Sequence, residues 1–209
     1  DQVVVGRAFT RRKTIFLHFV LSVTGIAIGF FLNWKMGCAN LGASIVLWFY
    51  SSAFKRIPFM GNFSIATLTA LSILILIFVY PVSLAGISMY STFAFVITLI
   101  RESVKDMEDL TGDKTYGRRT IPVVLGIAKT KIYTGTLILI LMTAIWLAYF
   151  LYQPMPVPVI LGLIMLPLAI FTFLLIKADT NLEFSRLSRL AKLLMVLGII
   201  SMAFFKYAA

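Results

Sequence analysis

Cysteine and charge are both scarce in this sequence. Cys38 is the only cysteine among 209 residues, so neither a disulfide within the chain nor a site built from several cysteines is possible. Charged residues make up 13%, about half the fraction typical of water-soluble domains. Hydrophobic residues make up 60%, and the mean hydropathy is +0.98. These values exclude an ordinary soluble domain and predict an integral membrane protein.

The charge that is present is strongly unbalanced. Nineteen Lys and Arg against eight Asp and Glu give a net charge of +11. The basic residues are dispersed between apolar runs, without the aromatic and polar residues that accompany them on a nucleic-acid-binding face. We therefore expect membrane lipids, and no nucleic acid, as partners.

Charge-free runs predict seven helices in an all-α membrane bundle. The run from Thr14 to Trp34 is long enough to cross about 30 Å of hydrocarbon as a helix. Residues 37–40 predict a turn, and a shorter helix follows over residues 41–53. Two longer runs each predict a pair of helices, one at residues 57–100 with a break at 80–86 and one at residues 132–176 with a break at 153–158. A polar link at residues 177–192 follows, and a last helix runs from it to about residue 205.

The basic residues predict how this bundle is oriented. Alternating spans place four segments on one side of the membrane: residues 1–13, 54–63, 101–131 and 177–192. These segments hold seventeen of the nineteen Lys and Arg and all eight acids. Because basic loops remain in the cytoplasm, we expect these loops and any active site there, and the C-terminus on the opposite side.

Most of the acidic residues lie together at the end of one apolar run. Five of the eight fall within twelve residues: Glu102, Asp106, Glu108, Asp109 and Asp113. On a helix, all of these except Glu108 share one face. Mg²⁺ is bound in proteins by one or two carboxylates together with water and phosphate oxygens, so this face predicts a metal site for a diphosphate. The alternative is a solvated acidic loop neutralised by neighbouring cations: Lys105, Lys114, Arg118 and Arg119.

Other polar residues on the same predicted side are candidates for contact with a diphosphate. Arg7 lies near a basic run at residues 11–13, and Lys55 is followed by Arg56. Such clusters provide charge-assisted contacts to phosphate, or else orient the chain and contact lipid headgroups. Asn62 is either a substrate contact or a cap for the next helix, a role for which Ser64 competes.

The residues around the acids carry a family resemblance. The string KDMEDLTGDKTYGRRTIPVVLG, residues 105–126, closely resembles the second aspartate-rich motif of the UbiA superfamily of intramembrane prenyltransferases. It is most similar to the archaeal ether-lipid branch, the digeranylgeranylglyceryl phosphate synthases. Two further strings agree in the same order along the chain: VVVGRAFTRRKT at residues 3–14 and WFYSSAFKRIPFMGN at residues 48–62.

The resemblance implies an activity and roles for residues. Members have nine transmembrane helices and transfer an isoprenyl group from a prenyl diphosphate to a lipophilic acceptor, with Mg²⁺ held by two aspartate-rich motifs. By motif position, it implies that Asp106, Asp109 and Asp113 bind metal and are catalytic, with Glu102 as an outer partner. It implies that Lys55 is the first candidate for contact with the diphosphate and is catalytic. Further candidate contacts are Arg7, Arg56, Lys105, Arg119 and Asn62.

The sequence departs from the family pattern at its start. No NDxxDxxxD motif precedes Val3, so we expect residues 1–209 to form a single prenyltransferase-like domain lacking its first helix, most of the second and the first aspartate motif. The acceptor is left open between a glycerol-phosphate ether-lipid type and a quinone or aromatic type. The alternative functions are a non-catalytic subunit of a membrane complex or a lipid-binding protein of the same fold, and less favourably a cation-coupled transporter.

Overall fold

The structure is a computed structural model that describes residues 10–52, 54, 57–80, 84–152 and 156–204. Its regular elements in these ranges are all helical, which confirms the all-α prediction. The helices are α1 (Arg11–Leu32), α2 (Trp34–Ser52), α3 (Met60–Leu74, extended by a 3-10 turn Ile75–Phe78), α4 (Leu84–Glu108), α5 (Leu110–Thr115), α6 (Ile121–Leu125), α7 (Ile127–Tyr152), α8 (Val157–Lys177, with a π-helical stretch Ile160–Met165) and α9 (Asn181–Ser201, extended by a 3-10 turn Met202–Phe204).

Seven of these helices are long, as predicted. Six are long and apolar enough to cross a membrane by length and composition. The exception is α2, because Lys35 and Asn40 lower the hydropathy of its first half. The two short helices, α5 and α6, lie within the loop that follows the fourth long helix.

The turn between α1 and α2 lies earlier than predicted. Residues 37–40 were expected to form it, but α2 already begins at Trp34 and only Asn33 separates the two helices. The Asn33 backbone is extended, and its side-chain oxygen accepts a 2.9 Å hydrogen bond from the Lys35 backbone N–H. Gly37 packs instead of turning, since a Cβ there would lie 2.2 Å from the Phe30 ring.

The last helix also begins earlier than predicted. Most of the predicted polar link over residues 177–192 is the first half of α9, and the link contains only residues 178–180. A capping box explains this start: Glu183 N–H donates to Thr180 Oγ1 at 3.4 Å, and the Glu183 carboxylate accepts from Thr180 N–H at 2.8 Å. The basic residues of the link therefore lie on a helix rather than in a loop.

The core surrounds α4. This helix packs against α3, α7 and α9, and half of its most apolar stretch is buried inside the bundle. Ile100 and Val104 on α4 are fully buried, close to Phe171 of α8 and Phe184 of α9. By contrast α1 contacts mainly α2 and is almost entirely exposed, with apolar side chains facing outwards. The last turns of α4 are therefore packed against several helices of the bundle.

Several helix ends meet where α4 finishes, and we call this the acidic end of the bundle. The Asn181 amide at the start of α9 donates to the Glu108 carbonyl at 2.7 Å. Lys131 near the start of α7 donates to the Asp179 carboxylate at 2.8 Å and to the Ile176 carbonyl at 3.3 Å. These contacts place the ends of α4 and α8 beside the starts of α7 and α9.

Candidate active site at the acidic end

The last turns of α4 carry the first two acids of the site. Glu102 is buried, and Arg101 forms an ion pair with its carboxylate. Asp106 follows one turn later on the same face and is partly buried. The helical spacing of four residues thus places both carboxylates on one face, as the sequence predicts, and the structure turns that face inward.

Asn62 joins α3 to this face. Its amide nitrogen donates a 2.8 Å hydrogen bond to Oδ2 of Asp106. Asn62 lies in the first turn of α3, where the preceding Phe59 has a positive φ of 64° and makes no capping bond with its side chain. Ser64 does not cap the helix either, because its hydroxyl donates back to the Met60 carbonyl at 2.7 Å. The structure therefore places Asn62 in the site rather than at a helix cap.

The helix is interrupted between Asp106 and Asp113. It ends at Glu108, and Asp109 takes a non-helical conformation before α5 begins. Helical hydrogen bonding still spans the break, since Asp109 N–H donates to the Lys105 carbonyl and Asp113 N–H to the Asp109 carbonyl, both at 2.9 Å. The predicted face is therefore nearly preserved, with Asp113 buried at 4% exposure.

Asp109 differs from the other acids of this face because its side chain is exposed. Partial desolvation raises the pKa of its carboxyl above the ordinary value, while Lys105 lowers it and the nearby Asp113 and Glu108 carboxylates add to the rise. Three acids, Glu102, Asp106 and Asp113, therefore face the protein interior, and Asp109 lies at their border with solvent.

Arg118 is the cationic partner of Asp113. Its guanidinium lies 3.1 Å from Asp113 Oδ1, and its backbone N–H donates to the Asp113 carbonyl at 2.9 Å. Gly117 makes this return possible, because its φ of +65° reverses the chain just after α5. Arg119, which was predicted to contact a diphosphate, is exposed and forms none of the ion pairs in the described part of the chain. The sequence feature that could have indicated this pairing is Gly117, because a glycine at that position allows the chain to turn back towards Asp113.

Tyr50 near the end of α2 was also missed by the sequence prediction. It is partly buried, and its hydroxyl lies within electrostatic range of Glu102, Asp106 and Asp113. Three helices therefore contribute polar residues to the candidate site: Tyr50 from α2, Asn62 from α3, and Glu102 and Asp106 from α4. Tyr50 lies in the string at residues 48–62, which the family resemblance had identified. The sequence analysis named this segment but did not name Tyr50 as a site residue.

The remaining part of the motif shapes the exit from the site. Pro122 occupies the first turn of α6, where its missing N–H costs nothing. Gly126 follows with a φ of +81°, a conformation that favours glycine, and α7 begins at the next residue. Positive φ angles therefore account for two of the three glycines in the string at residues 105–126, Gly117 and Gly126.

The sequence profile of the UbiA prenyltransferase family matches residues 1–204. The chain belongs to the UbiA prenyltransferase family. Digeranylgeranylglyceryl phosphate synthase of Pyrococcus horikoshii is 32% identical over 179 residues, which are 85% of this chain and 61% of the relative. The enzyme of the same name from Saccharolobus solfataricus is 32% identical over 197 residues, 91% of this chain and 69% of the relative.

A solved structure has the same fold. It comes from work on digeranylgeranylglyceryl phosphate synthase in membranes, and it matches with a TM-score of 0.72 at 20% identity, over 94% of this chain and 70% of that one. This UbiA-family chain spans about three fifths of the length of the Pyrococcus horikoshii relative. The expectation of a further helix and aspartate motif before residue 1 stays a prediction.

Other predicted site residues of this UbiA-family chain lie outside the described residues or on its surface. Arg7, Lys55 and Arg56 are outside the described residues. Lys105 is exposed on α4, yet it lies within electrostatic range of Asp106 and Asp109. Their predicted contacts with a diphosphate, like that of Asn62, stay predictions.

The carboxylates fit a metal that is bound together with phosphate rather than in a closed protein cage. Within the described ranges, no three Asp, Glu, His or Cys side chains converge closely enough to hold an ion by themselves. Glu102 and Asp113 each form an ion pair with an arginine. Among the described side chains, the one that hydrogen-bonds to Asp106 is the neutral Asn62 amide. A partly buried carboxylate without a cation is costly, so Asp106 is suited to receive one. Mg²⁺ needs one or two carboxylates when phosphate completes its shell.

Proposed function

We propose that this protein transfers an isoprenyl group from a prenyl diphosphate to a lipophilic acceptor within the membrane. The observation that carries the proposal is the bond between Asn62 and Asp106 beside the buried Asp113, in a chain of the UbiA prenyltransferase family. This arrangement supports carboxylates that are fixed in place and available to a cation at the end of an apolar bundle.

The proposed roles follow from the surroundings of each residue. Asp106 and Asp113 would hold Mg²⁺ together with diphosphate oxygens, Asp109 would complete the metal site from the solvent border, and Glu102 would be an outer partner. Asn62 fixes the Asp106 carboxylate, and Arg118 fixes that of Asp113. Bound Mg²⁺ would supply positive charge that favours departure of the diphosphate.

The transfer exchanges one carbon–oxygen bond for a bond to the acceptor. The allylic carbon–oxygen bond breaks with both electrons going to the diphosphate, and an acceptor atom with a lone pair or π electrons bonds to the allylic carbon and releases a proton. Cationic contacts to the departing diphosphate are assigned to Lys55, Arg7 and Arg56, with weaker assignments to Lys105 and Arg119. The apolar interior of the bundle keeps water from the allylic cation.

We infer a glycerol-phosphate ether-lipid acceptor, because the relatives from Pyrococcus horikoshii and Saccharolobus solfataricus are both named digeranylgeranylglyceryl phosphate synthase. We also infer that the acidic end faces the cytoplasm, since basic residues concentrate in the segments that meet there.

Transfer of a radiolabelled prenyl group tests the proposal. The full-length protein in lipid vesicles is given a labelled prenyl diphosphate, Mg²⁺ and either a prenylated glycerol phosphate or a quinone precursor. We expect transfer to the glycerol phosphate, and a loss of at least about a hundredfold in Asp106→Asn. Asp179→Asn removes the same charge from the same end at an exposed position and should keep most activity. If the wild type transferred no more label than Asp106→Asn, the result would favour the alternative of a non-catalytic, lipid-binding protein.

A further inference from the structure

A groove separate from the acidic site lies between α8 and α9. It has a volume of about 730 Å³, within the range of ligand-binding clefts. Three cationic side chains line it, Lys177 at the end of α8 and Arg186 and Arg189 on the first turns of α9. Leucines of both helices, including Leu174 and Leu190, form the rest of its wall. The groove is therefore both basic and apolar.

The cations outnumber the acids among the described residues that line this groove, with Lys177, Arg186 and Arg189 against Glu183, which lies within electrostatic range of Arg186. The Glu183 carboxylate also accepts hydrogen bonds of 2.8–2.9 Å from Asp179 N–H, Thr180 N–H and the Thr180 hydroxyl, so it offsets at most one of the three positive charges. The nearby Asp179 is paired with Lys131. Lys177 lies 4.2 Å from the Phe173 ring centroid, a contact that does not neutralise its charge.

The position of the groove at a membrane boundary explains the combination of residues. It lies near the acidic end, because Asn181 at the start of α9 bonds to the Glu108 carbonyl. From there α9 continues into the bundle with exposed apolar side chains such as Leu193, and α8 does the same through Ile176 and Phe173. A ligand that fits both parts has a negative head and an apolar tail parallel to the helices.

We propose that this groove binds an anionic phospholipid. The phosphate contacts Arg186 and Arg189 through charge-assisted hydrogen bonds, Lys177 adds a third positive charge, and an acyl or isoprenoid chain lies along the leucines. None of the carboxylates of the proposed catalytic site lines the groove. The proposal therefore does not rest on prenyl transfer, and it assigns a lipid-binding role to basic residues that orientation in the membrane would otherwise explain.

Binding of a fluorescent phosphatidylglycerol to the full-length protein in zwitterionic nanodiscs tests the proposal. The groove variant is Arg186→Gln with Arg189→Gln. The matched control is Lys129→Gln with Lys192→Gln, which removes the same charge from exposed positions on α7 and α9 that do not line the groove. We expect the groove variant to lose affinity by about tenfold and the control by less than about twofold. Arg186→Lys with Arg189→Lys keeps the charge and should retain most of the affinity.

Three results would overturn the proposal. Equal losses in the groove and control variants would mean a general response to net charge. Unchanged binding in the groove variant would mean that the lipid binds elsewhere. Displacement of the probe by millimolar inorganic phosphate alone would identify a free-phosphate site instead of a lipid site. Asp106→Asn should bind the probe like the wild type, so failure of the catalytic proposal is measured separately.

Discussion

Asn62 on α3 donates a 2.8 Å hydrogen bond to the carboxylate of Asp106 on α4. The two residues are 44 positions apart in sequence, and the bond joins the start of one helix to the end of its neighbour. Asp106 thereby keeps a fixed orientation without a cationic partner among the described side chains. A carboxylate held in this way is oriented for a metal ion.

Asn62→Ala should weaken prenyl transfer by about tenfold, because hydrogen bonds to charged groups contribute more than neutral ones and Asp106 would lose its fixed orientation. The measurement is kcat/KM for the prenyl diphosphate in vesicles. Asn40→Ala is the control, since Asn40 donates a 3.2 Å bond between α2 and α1 away from the site. Equal effects of the two variants would mean that Asn62 acts only through stability.

Arg118→Gln should lower the free energy of unfolding, whereas Arg119→Gln should change it little. The first variant leaves Asp113, whose side chain is 5% exposed, without its ion pair. Because Arg118 is itself 39% exposed, we expect a loss of about 2 kcal/mol, less than for a fully buried pair. Thermal unfolding in detergent compares the two variants. A larger effect of Arg119→Gln would show that the pairing is wrong.

Gly117→Ala should destabilise the protein by about 1 kcal/mol, since alanine is strained at a φ of +65°. No atom lies within 4 Å of the added methyl group, so the effect comes from the backbone alone. Gly112→Ala is the matched control on α5, where the methyl group also meets nothing and alanine favours the helix. The two variants should shift Tm in opposite directions, and a stabilising Gly117→Ala would refute the left-handed turn.

Gly29→Ala should weaken the packing of α1 on α2. Its methyl group would lie 2.5 Å from the Asn40 amide nitrogen and 3.2 Å from the Gly37 Cα, and backbone atoms cannot easily move away. Overpacking of this kind costs about 1–3 kcal/mol. Gly25→Ala adds a methyl group to the same helix with no atom within 4 Å. The close approach of the helices is refuted if both variants unfold at the wild-type temperature.

Charge-free runs were sufficient to predict seven long helices, and residue spacing predicted that Glu102, Asp106 and Asp113 share a face. Their role as a metal site stays a prediction. The sequence located Asn62 as well, because the string at residues 48–62 stood out by resemblance. Turns were predicted less well. The residues at 37–40 have turn-forming types, yet glycine at 37 serves close helix packing, a role that composition does not distinguish from a turn.

Contacts between residues near in sequence also went beyond the prediction. Arg118 and Arg119 are chemically identical and were both possible partners of the acids, and the chain reversal at Gly117 accompanies the pairing of Arg118 with Asp113. The start of α9 depends on the reciprocal bonds of Thr180 and Glu183, a local signal that the charged composition of residues 177–192 concealed. Tyr50 reaches the acids through the packing of α2, which no local pattern encodes.

Binding of an unreactive prenyl thiolodiphosphate, with and without Mg²⁺, tests the central claim most directly. We predict that the full-length wild type and Asp179→Asn bind it tightly only when Mg²⁺ is present. Asp106→Asn should bind at least about tenfold more weakly with Mg²⁺ and show little response to the ion. The assignment of Asp106 to a metal–diphosphate site is contradicted if Asp106→Asn, folded as judged by its Tm, retains wild-type affinity and wild-type dependence on Mg²⁺.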